Sequence, residues 1–430
     1  MLTDLVGKKL LILGSSSQIS QITVRAKEMG IKTVVVDKYP YEKCPGKQIA
    51  DEHYDIDFSN YIAMSELIKE RHIDGVLTGF TDSYLEHYYQ ICKDNNLPCY
   101  CELSALRIGT DKTAFKNACI ESGVPVIPGG SAKSLTEAYK LAEDVGFPVI
   151  IKPVDNSGSR GVIKCENRDK FEYSYQYACT FSPSKTVIVE RFMDCDSIAI
   201  SYFAAESDIR ICAINDRGLY VSPESGSSIT SYSEYPSPYL KRYLSEVNET
   251  VIEMLKKNGF NNGMIALQAF VDDDSFYFCE MCYRPSGGHH FLLIKDQNGN
   301  DQLELLIRFA LTGTCREQWN VENETPFFKE ACAMLKVIGD PGKIIENIAG
   351  IDEICKRDDV ISAYASHHHG DQVGASGTTA QSIVTIWHKA EDTEKLRNSA
   401  KEILQMLSVQ YTDGTGKAWI SIPNGIYYRF

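Results

Sequence analysis

Lys152 stands in an otherwise apolar run, Pro148-Val149-Ile150-Ile151-Lys152-Pro153, and four residues later the chain enters Asn156-Ser157-Gly158-Ser159-Arg160-Gly161-Val162. A lysine in an apolar strand either snorkels to water from an edge or aims its ammonium at a ligand. The small, permissive loop beside it tips the balance. Its backbone N–H groups are free to converge on phosphate oxygens, so lysine and loop read together as a phosphate clamp that lacks the Walker spacing. Lys112, in the Asp111-Lys112 pair that opens a helix, is a second candidate phosphate cation.

Two further stretches add different chemistry. The β-branched run Thr186 to Glu190 ends in an acid followed by Arg191-Phe192-Met193. A carboxylate beside an extended apolar linker suits an amino-bearing heterocycle whose edge is read by backbone groups. Met264 to Val271 and Phe276 to Tyr283 read as a hairpin across the turn Asp272-Asp273-Asp274-Ser275. Strict alternation puts Glu280, Cys282 and Arg284 on one face with Phe276 and Phe278, and Cys279, Met281 and Tyr283 on the other. Gln268 lies across from that face if the register permits. An amide carbonyl and a carboxylate are hard oxygen ligands suited to Mg²⁺, and Arg284 is placed to meet a phosphoryl or carboxylate charge. Ser286, Gly287, Gly288, His289 and His290 follow directly and are candidates for lining a substrate pocket.

Other patterns are discounted. Cys279 and Cys282, three apart on a strand, are expected on opposite faces, which disfavours a redox pair or zinc knuckle. His367-His368-His369 lacks partner ligands at zinc spacing. The serines near 227 and 286 lack a nucleophile-elbow context.

The elements that must carry these residues are legible as a string. Residues 1–105 alternate strand and helix: Lys9 to Leu13, a helix to Gly30, Thr33 to Val36, a helix over Tyr61 to Arg71, and Ile73 to Thr78. That alternation predicts parallel strands with crossover helices. The Gly14-Ser15 turn lacks the three-glycine spacing, so no bound dinucleotide is expected there. Residues 106–322 form a second region, with helices over Asp111 to Ser122 and Leu135 to Val145 and a lid subdomain at about 115–195. Residues 323–430 form a third, α+β and rich in strands, with strands at Lys343 to Glu346 and Ser382 to Trp387 and a helix over Thr393 to Leu407. Specificity loops are expected around Asp216 to Tyr235 and His367 to Thr379.

The bulk numbers set limits. A chain of 430 residues exceeds one typical domain, and 43% hydrophobic with 24% charged residues is ordinary for a globular protein. A net charge of −14 without a basic stripe argues against a nucleic-acid partner. No apolar run reaches membrane-spanning length. The 14 cysteines, scattered through apolar elements without a leader-like N-terminus, read as free thiols in a cytoplasmic protein.

Taken in order, the four stretches make the chain resemble the ATP-grasp superfamily, specifically its carboxylate–amine ligases: L-amino acid ligases, halves of the carbamoyl-phosphate synthase large subunit and purine-pathway ATP-grasp enzymes. The resemblance implies a mixed α/β and α+β fold. A Rossmann-like N-terminal lobe would precede the ATP-grasp core and a small C-terminal β-rich lobe. It implies ATP and Mg²⁺ (or Mn²⁺) as cofactors, small-molecule carboxylate and amine substrates, and, as in many relatives, a homodimer.

Carried onto matching positions, Lys112 and Lys152 bind phosphates under a loop containing Ser157, Gly158, Ser159 and Gly161. Glu190, Arg191, Phe192 and Met193 hold adenine, Gln268 and Glu280 bind the metal, and Arg284 and Lys152 act in catalysis. Two departures stand out. The family's ribose glutamate is Ser197 here, with Asp196 the nearest acid, and its metal-binding asparagine is Cys282, a poor Mg²⁺ ligand.

Overall fold

A computed structural model describes residues 4–156, 160–223, 227–415, 418–422 and 426–429. Lys9–Leu13, Lys32–Val36, Glu52–Tyr54 and Gly75–Leu77 form a parallel four-stranded sheet. The runs Leu10 to Leu13 and Val34 to Val36 are fully or almost fully buried, as strands covered on both faces must be. Glu52–Tyr54 was not expected from the sequence. It is short, polar and at the sheet edge.

A second four-stranded sheet, antiparallel, is ordered Gly129–Ala132, Val187–Arg191, Val149–Pro153, Ile163–Cys165. With helices Leu135–Val145 and Phe171–Thr180 it encloses its own small core around Val149, Ile151, Phe171 and Val189. This unit sits where the lid was expected.

Of the remaining strands, Ile345–Ala349 and Ser408–Tyr411 pair as a separate two-stranded sheet, and the others build one ten-stranded sheet, antiparallel throughout. Its order begins Phe276–Cys282, Gly263–Val271, Asp196–Ala205, Asp208–Val221, Ser228–Tyr235, then Ala331–Gly339, Ser382–Ala390 and Val360–Ala365. Ala331–Gly339 pairs directly with Ser228–Tyr235, so the sheet runs on across the border expected at 323. The stretch Asp216 to Tyr235, expected as loop, is mostly two central strands. Its serines alternate with Ile229, Tyr232 and Tyr235, and those apolar partners decide the conformation. Helix Thr393–Met406 packs on one face of the later strands around Leu335, Ile386 and Ile403. The opposite face turns toward the N-terminal lobe, where Trp387 and Met334 join the main core. Among the described residues no helix is long and apolar enough to cross a membrane.

Candidate functional site

The helix Lys112–Glu121 starts where it does because Asp111 caps it, its Oδ1 accepting from the Thr113 and Ala114 amides at 2.7 and 2.9 Å. The cap fixes Lys112 in the first turn. Its Nζ donates to the Asn156 carbonyl at 2.7 Å and stands 3.5 Å from Glu280 Oε1. These three residues line a 250 Å³ cleft together with Asp82, Asp111 and Arg160. Ser157, Gly158 and Ser159 lie outside the described residues. Gly161 has φ +79°, and a Cβ there would come within 2.6 Å of Phe181, so this end of the loop requires glycine.

Lys152 and Glu190 face each other across paired strands, Lys152 standing opposite Ile188. The Lys152 ammonium lies 2.7 Å from Glu190 Oε2, and Lys116 Nζ lies 2.8 Å from Oε1 while also donating to the Ile127 carbonyl at 2.5 Å. Glu190 is 4% exposed. Burial opposes its charge, but Lys152 and then Lys116 outweigh that and hold the carboxyl below its ordinary range. The carboxylate expected at an adenine edge is thus gripped on both oxygens. Lys116 was missed, although a lysine four residues after Lys112 leaves the same helix face.

Beyond Glu190 the linker is pinned by backbone bonds: Arg191 N to the Pro128 carbonyl and Phe192 N to the Pro148 carbonyl, both 3.0 Å. The Arg191 guanidinium sits 5.3 Å from the centre of the Tyr277 ring, and Lys164 Nζ 4.0 Å from that of Phe192. Met193 is buried. Asp196 accepts from the Tyr239 hydroxyl at 2.5 Å.

The hairpin has the expected turn, with Asp272 Oδ1 accepting from the Asp274 and Ser275 amides at 3.0 and 3.1 Å. Gln268 pairs directly with Glu280, so their side chains share a face. The alternation needs correcting. Ala269 pairs with Phe278, which leaves Cys279 as an extra, bulged residue. Phe276 and Phe278 therefore turn into the core against Tyr243, away from Glu280. Cys279 comes round into the electrostatic neighbourhood of Lys152, Glu280 and Arg217, so Cys279 and Cys282 are not on opposite faces. Burial pushes their thiols up to about 12 and about 11, leaving both as neutral, weak donors. For Glu280, burial is outweighed by Lys112, Lys152 and Arg217, and the carboxyl is held low. An ionised carboxylate beside an amide carbonyl fits a hard divalent ion that completes its shell with ligand oxygens.

Arg284 already has a carboxylate partner. Its Nε and Nη2 make a fork to the two carboxylate oxygens of Asp82 at 2.6 and 2.7 Å, which ties the hairpin to the N-terminal lobe. The pair reads as a positioned guanidinium with its remaining N–H groups turned elsewhere, one to the Pro285 carbonyl.

After it, the Ser286 carbonyl accepts from His289 N, Gly287 from Gln18 Nε2 at 3.1 Å and Gly288 from Trp387 Nε1 at 2.9 Å. His289 is the wrong candidate for a pocket wall. It is 0% exposed, stacked on Trp387 at 5.4 Å between Phe80, Phe291 and Tyr364, and burial drops it to about 3. His290 remains partly exposed and is held by the Tyr235 hydroxyl at Nδ1, 2.5 Å away.

Comparisons with known proteins bear on the fold and on the domain that carries these residues. Residues 111–314 match the family described as carbamoyl-phosphate synthase L chain, ATP binding domain. The chain is 24% identical over 284 residues to the formate-dependent phosphoribosylglycinamide formyltransferase of Rhodococcus jostii, covering 64% of this chain and 69% of that one. Among solved structures, the L-amino acid ligase of Bacillus licheniformis is similar with a TM-score of 0.77 at 16% identity, over 95% of this chain and 99% of that one. Phosphoribosylglycinamide synthetase of Anaerococcus prevotii gives 0.73 at 20%, over 94% and 99%. These structural likenesses establish the fold as the one that ATP-grasp ligases share, and the family match assigns an ATP-binding domain of that kind to residues 111–314.

Proposed function

We propose that the protein joins a small-molecule carboxylate to an amine, with an amino acid as the preferred carboxylate, at the expense of ATP. The substrate carboxylate attacks the γ-phosphorus of ATP, and the bond to ADP breaks to leave an acyl phosphate. The amine then attacks the acyl carbon, phosphate departs, and the nitrogen loses a proton to form the amide. The observation that carries this reading is the convergence of Lys112, the Asn156 carbonyl and Glu280 on one cleft, with Lys152 and Glu190 on the lid sheet and Arg284 fixed by Asp82.

In this reading Lys112 and Lys152 neutralise phosphate charge, and the backbone around Phe192 and Met193 meets the base. Gln268 and Glu280 hold Mg²⁺, which when bound shields the charge of the triphosphate. Arg284, pre-set by its bidentate partner, stabilises charge on the transferred group at no reorganisation cost. No side chain serves as a covalent nucleophile, so catalysis is positioning plus charge compensation. The relatives' names support the class: one is formate-dependent and acts on phosphoribosylglycinamide, and another is an L-amino acid ligase.

The test is a phosphate-release screen of the purified protein with MgATP against carboxylate–amine pairs. Release that requires both partners, and that disappears in Lys152→Ala and Arg284→Ala, supports the reading. ATP binding without carboxylate-dependent release would mark a nucleotide-binding homologue. Release driven by bicarbonate alone would assign a carboxylating reaction instead.

A further inference from the structure

Among the described residues, two cations on the cleft face of the large sheet, Arg217 and Lys336, make no direct ion pair. Arg217 follows Asn215 on its strand, and Asn215 pairs with Ala199, which pairs with Gln268, so all four point to the face that carries Glu280. The Arg217 guanidinium donates only to hydroxyls: Nε and Nη2 to Thr230 Oγ1 at 3.0 and 2.8 Å, and Nη1 to Ser197 Oγ at 2.9 Å. Lys336 lies on Ala331–Gly339, where its neighbour Met334 pairs with Ser233, the residue opposite Arg217. Lys336 pairs with Thr385, which pairs with Tyr364.

Among the described residues no carboxylate comes within ion-pair distance of either cation, and Lys336 has no hydrogen-bond partner. Both side chains are only partly exposed. Burial lowers both, and for Lys336 the nearby Arg217 charge adds to it, bringing Lys336 down to about 8; for Arg217 the more distant Glu280 partly offsets burial. A fold gains no stability from setting a cation without an ion pair, Lys336, beside a second one that no carboxylate contacts directly, because desolvation opposes both and repulsion opposes Lys336. Such a pair is a site whose counter-charge arrives with a ligand.

The nucleotide is not that ligand along the whole pair. Glu280 and Lys336 are five strand spacings apart in the sheet order, or ~24 Å measured along the sheet. That exceeds the reach of a triphosphate anchored near Glu280. His290, which feels the charge of both cations, stands beside them with Tyr235 and completes a polar corner.

We propose that Arg217 and Lys336 form a subsite for an anionic group, a carboxylate or a phosphate ester, carried by the second substrate. The assignment rests on the ligase reading for its setting and deepens it. The amine partner is an acidic molecule rather than a neutral one.

The experiment has two arms. In the first, the enzyme is saturated with a non-hydrolysable ATP analogue and Mg²⁺, and binding of inorganic phosphate and of succinate is measured calorimetrically for wild type, Arg217→Gln, Lys336→Met and Lys336→Arg. Both probes should bind the wild type and lose about tenfold or more in Lys336→Met and Arg217→Gln, the worth of one charge-assisted hydrogen bond. Lys336→Arg should restore most of the loss, and the probe preferred separates a carboxylate from a phosphate-ester subsite. In the second arm, ATP-dependent phosphate release is compared for glutamate and alanine as amine donors. The preference for glutamate should collapse in Lys336→Met while KM for ATP stays within about twofold.

Equal binding of both probes to wild type and Lys336→Met overturns the proposal, as does a fall in ATP affinity that matches the fall in probe affinity. Failure of the ligase reading looks different. No amine then supports turnover, yet the calorimetric arm still separates the variants.

Discussion

Replacing Glu190 with glutamine tests what the buried acid does. Its carboxylate lies between two ammonium groups at 2.7 and 2.8 Å, and the three side chains are only 5%, 12% and 11% exposed for Glu190, Lys152 and Lys116. The trio carries one net positive charge. Glu190→Gln keeps the shape and removes the only negative charge, leaving two ammonium groups facing each other in a poorly solvated place. Breaking a buried ion pair from one side costs about 3–5 kcal/mol, and here the loss falls on two pairs at once. The top of that range is therefore expected, against a total stability of roughly 5–15 kcal/mol for a domain.

Lys116→Met should cost less, about 1–3 kcal/mol, because a neutral Lys152–Glu190 pair survives and only the hydrogen bonds of Lys116 are lost. The double variant Glu190→Gln/Lys116→Met should recover stability relative to Glu190→Gln alone, since it removes the repulsion. Equilibrium urea unfolding followed by tryptophan fluorescence and circular dichroism reads all three, and the coupling is obtained from the cycle.

The pH dependence has a defined sign. Glu190 is held below its unfolded pKa, so its contribution is present above that value and is lost as the solution is acidified through the carboxylate range. Lys152 is held above its unfolded pKa, burial being outweighed by Glu190, so its contribution is present below that pKa and lost as pH rises past it. If Glu190→Gln unfolds within about 1 kcal/mol of wild type but loses ATP affinity, the carboxylate is a nucleotide ligand and its two lysine contacts are incidental.

Four further outcomes are expected. Asp82→Asn should cost about 1–3 kcal/mol of stability and lower kcat by about tenfold to a hundredfold with a smaller change in KM for ATP, because Arg284 loses its charged bidentate anchor; urea unfolding and steady-state kinetics on phosphate release read the two effects. Affinity for an anionic second substrate should decline as pH rises past about 8, where Lys336 sheds its proton, and Lys336→Arg should abolish that limb. The facing groups do not supply it, since Arg217 stays charged and His289 and His290, both pushed down to about 3 by burial, stay neutral. Cys282→Asn restores an oxygen donor beside Glu280 and should lower the Mg²⁺ concentration for half-maximal activity by several-fold, read by titration with EDTA-buffered metal. His289→Phe removes two buried nitrogens that have no partner among the described residues and should stabilise the fold by about 1 kcal/mol without moving any KM; a raised substrate KM would return His289 to the pocket.

The residues that were legible in the sequence share a property: their roles follow from their own strand or helix. Lys152 is conspicuous because it interrupts an apolar strand, Lys112 because a capping aspartate precedes it, and Glu280 and Arg284 because they end a hairpin with an unmistakable turn. The supersecondary skeleton was readable for the same local reason, down to helices such as Tyr61–Arg71 and Leu135–Val145. What was hidden depends on pairing at a distance. Asp82 meets Arg284 across 202 positions, and Lys116 meets Glu190 across 74. The bulge at Cys279 appears only when the partner strand is counted against it, and one extra residue reversed the side assigned to Phe276 and Phe278.

The same distinction orders the cations of the cleft. Lys152 and Arg284 were chosen from sequence as ligand-seeking charges, yet each has a carboxylate partner within 2.7 Å, so part of each serves to hold the fold. Lys112 is intermediate, with its acid at 3.5 Å, where a divalent ion or a phosphate can compete for either group. Arg217, which falls in a stretch read from sequence as a specificity loop, and Lys336, to which sequence reading assigned no role, have no such partner. A positive side chain's type and local setting are written in the sequence, but its neutralisation is a property of the folded sheet. In this cleft it is the missing counter-charge, more than the presence of a lysine or arginine, that marks where an anionic substrate has to sit.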